Sequence, residues 1–166
     1  MENNIEIICQ NTGQRKKYPI GTTLKEISED MQINTGKPII GAMVNNTLKE
    51  LSYQIYKPKK INFIDLTHDD GMRMVVRSLI FVLYKATCEL FPKSEFIVRH
   101  PISNGYYCTL QNGNKLHDAE DVERIKARME EIIEADLPFK HREIPTEEAI
   151  EIFEAHNLEA KTPLLR

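Results

Sequence analysis

The apolar positions change period once along this chain, close to residue 66, and the change divides it into two regions. In the first region short alternating runs dominate. Asn4 to Cys9 places Ile5, Ile7 and Ile8 in a strand, Asn11-Thr12-Gly13 turns, and Gln14 to Tyr18 returns as the second arm of a hairpin. Thr23-Leu24-Lys25-Glu26 is a capping box, so a helix starts there and buries Leu24, Ile27 and Met31 at helical spacing. Pro38 to Val44, Leu51 to Tyr56 and Ile61 to Leu66 read as three further strands, with Asn45-Asn46 as a turn. The predicted order is ββαβββ.

From Met72 the spacing is helical up to Phe91, where Pro92 follows. Met72, Val75, Val76, Leu79, Ile80, Val82, Leu83, Ala86 and Leu90 cover most of the circumference, which predicts burial on several sides. Phe96 to Ile102 and Tyr106 to Leu110 form a hairpin around Ser103-Asn104-Gly105, and Gln111-Asn112-Gly113-Asn114 turns again. Asp118 caps a helix from Ala119 to about Ala135 with Val122, Ile125, Met129 and Ile132 as its core stripe. Phe139 to Ile144 is a predicted strand. Pro145-Thr146-Glu147-Glu148 opens a helix whose inner face is Ala149, Ile150, Ile152 and Phe153. Lys161 to Arg166 begins a further short helix without a terminator, as if the chain were cut from something longer.

Composition narrows the class. The chain has 166 residues, 41% hydrophobic and 28% charged, as an ordinary globular protein has. A formal net charge of −3 argues against a surface that binds nucleic acid everywhere. The charge is uneven, however: residues 1–66 hold nine Lys and Arg against seven Asp and Glu, and residues 67–166 hold thirteen against eighteen. Arg15, Lys16, Lys17, Lys57, Lys59 and Lys60 are therefore the candidate contacts for RNA or phosphate, set against the alternative of solvated loop charges. Cys9, Cys88 and Cys108 make no CxxC, so reduced thiols in a cytoplasm are expected. No apolar run is long enough to span a bilayer, and no membrane partner is expected.

The phrase Tyr18-Pro19-Ile20-Gly21-Thr22-Thr23-Leu24-Lys25-Glu26-Ile27 resembles the TGS domain, named for threonyl-tRNA synthetases, GTPases and stringent-response synthetases. Cys88-Glu89-Leu90-Phe91-Pro92, the hairpin Ile102 to Tyr107, and Asp136-Leu137-Pro138-Phe139 leading to Glu147-Glu148-Ala149 resemble the second N-terminal domain of threonyl-tRNA synthetases, shared with alanyl enzymes. The resemblance implies an α+β protein: a TGS-like β-grasp domain over 1–66, then an editing-like α+β domain over 67–166, cut short at its C-terminus. In that family the long helix carries two histidines four residues apart. Here the positions hold Arg77 and Phe81. Two imidazoles at i and i+4 share a helix face and grip one metal ion, whereas a guanidinium and a phenyl ring offer no lone pair.

The family's second half-site, Cys and His four apart, is absent too, and His68, His100, His117, His141 and His156 never fall four apart. No catalytic residue and no metal site are expected, and editing by assisted hydrolysis is unsupported. Arg77 becomes a candidate anion site, against pairing with Asp69, Asp70 or a glutamate; Phe81 is expected to fill the vacated pocket. His100 and Cys108 are candidates to face one another across the hairpin as a structural pair, and one of Tyr106 and Tyr107 is expected to be buried. Asp65, His68, Asp69 and Asp70 are read as caps for the long helix.

Uridine kinase-like proteins carry the same tandem with a similarly degenerate Arg-Ser-Leu-x-Phe-Val-Leu helix. The resemblance thus implies a non-catalytic N-terminal regulatory or ligand- and RNA-binding region, partnered by a C-terminal domain of the same chain. That parent would be an ATP-dependent transferase using ATP and Mg²⁺, none of it supported by a GxxxxGK[ST] here. The alternative is a tRNA-binding or degenerate editing module of a threonyl-tRNA synthetase-like protein.

Overall fold

The computed structural model describes residues 4–103, 105–111, 118–140 and 142–155. The chain forms two compact units, Met1–Glu131 and Ile132–Arg166. The first begins with β1 (Asn4–Cys9), β2 (Arg15–Pro19), α1 (Leu24–Asp30), β3 (Gly41–Val44), β4 (Thr47–Glu50) and β5 (Lys59–Ile64). These strands make one five-stranded sheet in the order β2-β1-β5-β3-β4. Only β1 and β5 run parallel; the other neighbours are antiparallel.

Alternation explains the core. Ile5, Ile7 and Cys9 of β1 point to one face, with Ala42 and Val44 of β3 and Ile61 and Phe63 of β5, and all are buried with Leu24 and Ile27 of α1. Complete burial of each large aliphatic side chain stabilises by about 1.5–3 kcal/mol, which makes this layer the main source of stability in the sheet.

α1 starts where its capping box predicts. Thr23 Oγ1 accepts from the Glu26 N–H, and the Glu26 carboxylate accepts from the Thr23 N–H at 2.8 Å. Leu51 to Tyr56 departs from expectation. It makes no ladder strand and contributes only a bridge between Gln54 and Thr23. Asn45 and Asn46 both have positive φ, 47° and 65°, the signature of a two-residue turn that folds straight back. The returning strand therefore starts at Thr47 and has left the sheet by Leu51. The carbonyls of Leu51 and Tyr53 then accept from the N–H groups of Lys25 and Leu24, donors that the first turn of a helix cannot satisfy itself. Ile55 is buried as the side-chain anchor of this segment.

α2 (Asp69–Leu90) follows a tight junction. His68 is its N-cap, Nδ1 accepting from the Asp70 N–H at 3.1 Å, as the capping reading requires. Asp65 accepts from the Thr67 N–H and hydroxyl at 2.7 and 2.6 Å, and these bonds hold its carboxyl below the usual range. Gly71 is buried against this loop: a Cβ there would stand 2.0 Å from the Asp65 carbonyl oxygen. The helix is not buried on several sides. Only Gly71, Val82, Ala86 and Thr87 are buried, while Met72 and Leu79 are exposed. Its apolar circumference exceeds what its neighbours cover.

β6 (Glu95–Ile102) and β7 (Gly105–Gln111) form a two-stranded ribbon. α3 (Ala119–Glu134) begins with Asp118 Oδ1 accepting from the Asp121 N–H. Arg128 of α3 donates to Glu89 of α2 at 2.8 Å, and Lys85 donates to the same carboxylate at 2.6 Å, so Glu89 is held below the usual carboxylate range by Lys85 and then Arg128. In the expected α3 stripe Ile132 is buried and Ile125 and Met129 half-buried, but Val122 is exposed. In the second unit α4 (Thr146–Ala155) keeps Ala149, Ile150, Ile152 and Phe153 half-buried. Among the described residues of 139–144 no strand forms, since a lone extended segment between two helices finds no ladder to join. Asn104, the turn at 112–114, His117, His141, His156 and the expected helix at 161–166 lie outside the described residues. The order of strands and helices is that of an α+β protein, and no described helix is long and apolar enough to cross a membrane.

Candidate nucleic-acid interface

Strand alternation divides the basic cluster of β2. Register places Lys16 opposite Ile7, on the helix-covered face, and Arg15 and Lys17 opposite Ile8 and Glu6, on the other. On the covered side Lys16 Nζ lies 2.7 Å from Asp30 Oδ2, at the end of α1, and Tyr18 donates its hydroxyl to the same oxygen at 2.6 Å. Lys16 and then Tyr18 hold the Asp30 carboxyl below its ordinary value, while burial and this hydrogen bond push the Tyr18 phenol up. Lys16 is thus committed to the fold.

Arg15 and Lys17 are exposed and, among the described residues, make no ion pair. The next strand continues their face, because Lys60 of β5 is in register with Ile8. One row across three strands therefore reads Arg15, Ile8, Lys60. Three of the six sequence candidates, Arg15, Lys17 and Lys60, thus share this face, whereas Lys59 is in register with Ile7, on the helix-covered side. Lys57 is exposed in the loop before β5 and makes no ion pair among the described residues.

A concavity of about 640 Å³ opens on this face. Glu6 and Ile8 of β1, with Gln10 just past its end, line it on one side, and Pro58, Lys59 and Lys60 line it at the start of β5. Asn45 and Asn46 close one end. Asn45 is fixed there: its N–H donates to the Lys60 carbonyl and its Oδ1 accepts from the Lys60 N–H, both at 2.9 Å. Among the described residues the side chains of Glu6, Gln10, Asn46, Lys59 and Lys60 make no hydrogen bond or ion pair. The site joins an apolar floor to cations, amides and one carboxylate. Glu6, Ile8 and Gln10 carry no motif; their signal is only that they alternate with the buried Ile5, Ile7 and Cys9.

The other candidates stay apart from one another. Arg77 and Phe81 lie one turn apart on α2, and both are exposed. The expected ion pair goes to a neighbour, with Arg73 on Asp70 at 3.0 Å, and among the described residues Arg77 has none. Phe81 is 59% exposed rather than filling an apolar pocket. The β6–β7 ladder pairs Ile102 with Gly105, so His100 faces Tyr107 rather than Cys108, and a bulge at Arg99 sets Cys108 opposite Val98. The His100 and Tyr107 rings lie 5.5 Å apart. Tyr106 and Tyr107 are both exposed, because neither face of a two-stranded ribbon is covered at its tip. Among the described residues no group of three or more His, Cys, Asp or Glu could hold a metal ion.

No family model matches the chain. It is 27% identical over 159 residues, 96% of its length, to a threonine–tRNA ligase of Acetivibrio thermocellus. It is 27% identical over 154 residues to threonine–tRNA ligase 2 of Bacillus subtilis, and 28% identical over 141 residues to the threonine–tRNA ligase of Symbiobacterium thermophilum. These matches take in 93% and 85% of the chain. The chain spans about a quarter of the length of these curated relatives, 25%, 24% and 22% in turn. Across nearly all of its residues, then, the chain is similar to the N-terminal part of threonine–tRNA ligases.

Proposed function

We propose that this chain is a non-catalytic tRNA-binding module of a threonyl-tRNA synthetase-like protein. Residues 1–66 are read as a TGS-like β-grasp domain, supported by the ββαβββ order and the strand order β2-β1-β5-β3-β4. Residues 67–166 are read as an editing-like domain that has lost its metal pair to Arg77 and Phe81. The relatives' names contain tRNA as the substrate, and RNA is the partner proposed here. A cytoplasmic location goes with that partner. The uridine kinase-like parent, with its ATP and Mg²⁺, now rests on the Arg77–Phe81 helix alone, and the relatives favour the tRNA reading.

The observation that carries the proposal is the row Arg15–Ile8–Lys60, where unpaired cations share one sheet face while Lys16 is withdrawn to Asp30. Cations on a common face neutralise phosphates and release counterions, so affinity falls with salt. Anisotropy with a labelled tRNA transcript across a salt series tests it. Arg15→Gln and Lys60→Gln should each weaken binding and flatten the log–log salt slope by about 1. Lys16→Gln should leave that slope unchanged. Binding that is absent, or constant with salt, overturns the proposal.

A further inference from the structure

Phosphate attraction alone does not account for the concavity, because Glu6 sits on the path of the lysines. A carboxylate repels a bare phosphate and accepts hydrogen bonds from hydroxyl or amino groups. An anion site would omit it. The ligand that suits Lys60, the apolar Ile8 and Pro58, the amides of Gln10 and Asn46, and Glu6 together has an anionic end, a flat apolar body and hydrogen-bond donors. That is a ribonucleotide. About 640 Å³ lies in the range of small-ligand sites and suits one nucleotide rather than a duplex.

We infer that the concavity of the open sheet face holds one unpaired ribonucleotide, with Lys60 on its phosphate, Ile8 beneath its apolar body and Glu6 accepting from its ribose hydroxyls. This rests on the RNA reading above and adds to it a specificity: Glu6 is the residue that tells ribose from deoxyribose, a distinction only the 2′-hydroxyl carries. Asn45, bonded twice to the Lys60 backbone, sets the cation against the strand that bears Glu6.

The shared chemistry is found in an unpaired RNA segment and in a free nucleotide, and the experiment separates them. The full chain is titrated with a labelled single-stranded oligoribonucleotide and with its deoxy counterpart. Amide NMR shifts of Ile8 and Lys60 are followed with adenosine and uridine 5′-monophosphates. RNA should bind about tenfold tighter than DNA, the worth of a hydrogen bond to a charged acceptor. Glu6→Gln should bring the ratio near one, losing RNA affinity while gaining DNA affinity, because a negative charge leaves the phosphate path. Glu6 is exposed, so the variant should fold, and circular dichroism checks this. Equal affinity for RNA and DNA, or a ratio that survives Glu6→Gln, overturns the inference and leaves RNA binding standing. Monophosphate shifts without RNA binding support the nucleotide site and overturn the RNA reading. Absence of both overturns the two together.

Discussion

Asn45 and Lys60 exchange two hydrogen bonds, the Asn45 N–H to the Lys60 carbonyl and the Lys60 N–H to Asn45 Oδ1, each at 2.9 Å. One residue of a turn thereby holds both main-chain groups of a lysine fifteen positions away. Asn45→Ala removes the acceptor and places a Cβ residue without a side-chain bond at φ 47°. The expected cost is about 1–3 kcal/mol, measured by urea denaturation, with weaker tRNA binding although no charge has changed. Asn46→Gly, at φ 65°, should be neutral or stabilising.

The start of α2 depends on the lack of a side chain at Gly71. With the Asp65 carbonyl oxygen 2.0 Å from any Cβ, Gly71→Ala must displace the loop that carries Asp65, Thr67 and His68. A loss of about 2–3 kcal/mol is expected in chemical denaturation. His68→Ala at the cap should cost about 1 kcal/mol in the same assay.

Acid should unfold the protein through identifiable carboxylates. Asp30, Asp65 and Glu89 are held below their ordinary values of 3.8, 3.8 and 4.5 in the fold, so the unfolded chain takes up protons first as pH falls. Their contribution is complete above those ordinary values and disappears as pH falls through the lower folded ones. Tm should drop on titration below about pH 4.5. Lys16→Met, which removes the first cause of the Asp30 shift, should make that drop shallower.

Positions 77 and 81 lie one turn apart on α2 and are both open to solvent. The double variant Arg77→His with Phe81→His should gain a two-imidazole grip and a rise in stability with Zn²⁺ or Ni²⁺ of about 1–3 kcal/mol. A thermal shift that ignores metal would show that the helix does not present these two positions as a ligand pair. Phe81→Ala alone should cost under about 1 kcal/mol, against about 2–5 for Ile7→Ala in the core.

Local pattern was enough for much of the fold. The capping box at Thr23, the strand Asn4–Cys9, the Asp118 cap and the hairpin after Phe96 could all be read, because each depends on residues within one turn or one strand. The basic residues of the site were also visible as a composition. Their arrangement was not. Which of Arg15, Lys16 and Lys17 is available depends on the β1–β2 register and on Asp30 at the end of α1.

The failures have the same physical origin. An alternating run such as Leu51–Tyr56 looks like a strand until a two-residue Asn-Asn turn begins the real strand at Thr47, leaving the run to cap α1. His100 and Cys108 would face one another if Ser103-Asn104-Gly105 were the whole loop, but the ladder pairs Ile102 with Gly105 and so moves His100 onto Tyr107. By itself the amino-acid order determined the periods, the caps and the lack of any two histidines four residues apart, since these are short-range properties of side chains and backbone. Only the tertiary structure decided register, the face on which each lysine stands, and the concavity that Glu6 shares with Lys60. Pairing distant segments is a cooperative choice that no single window of sequence contains.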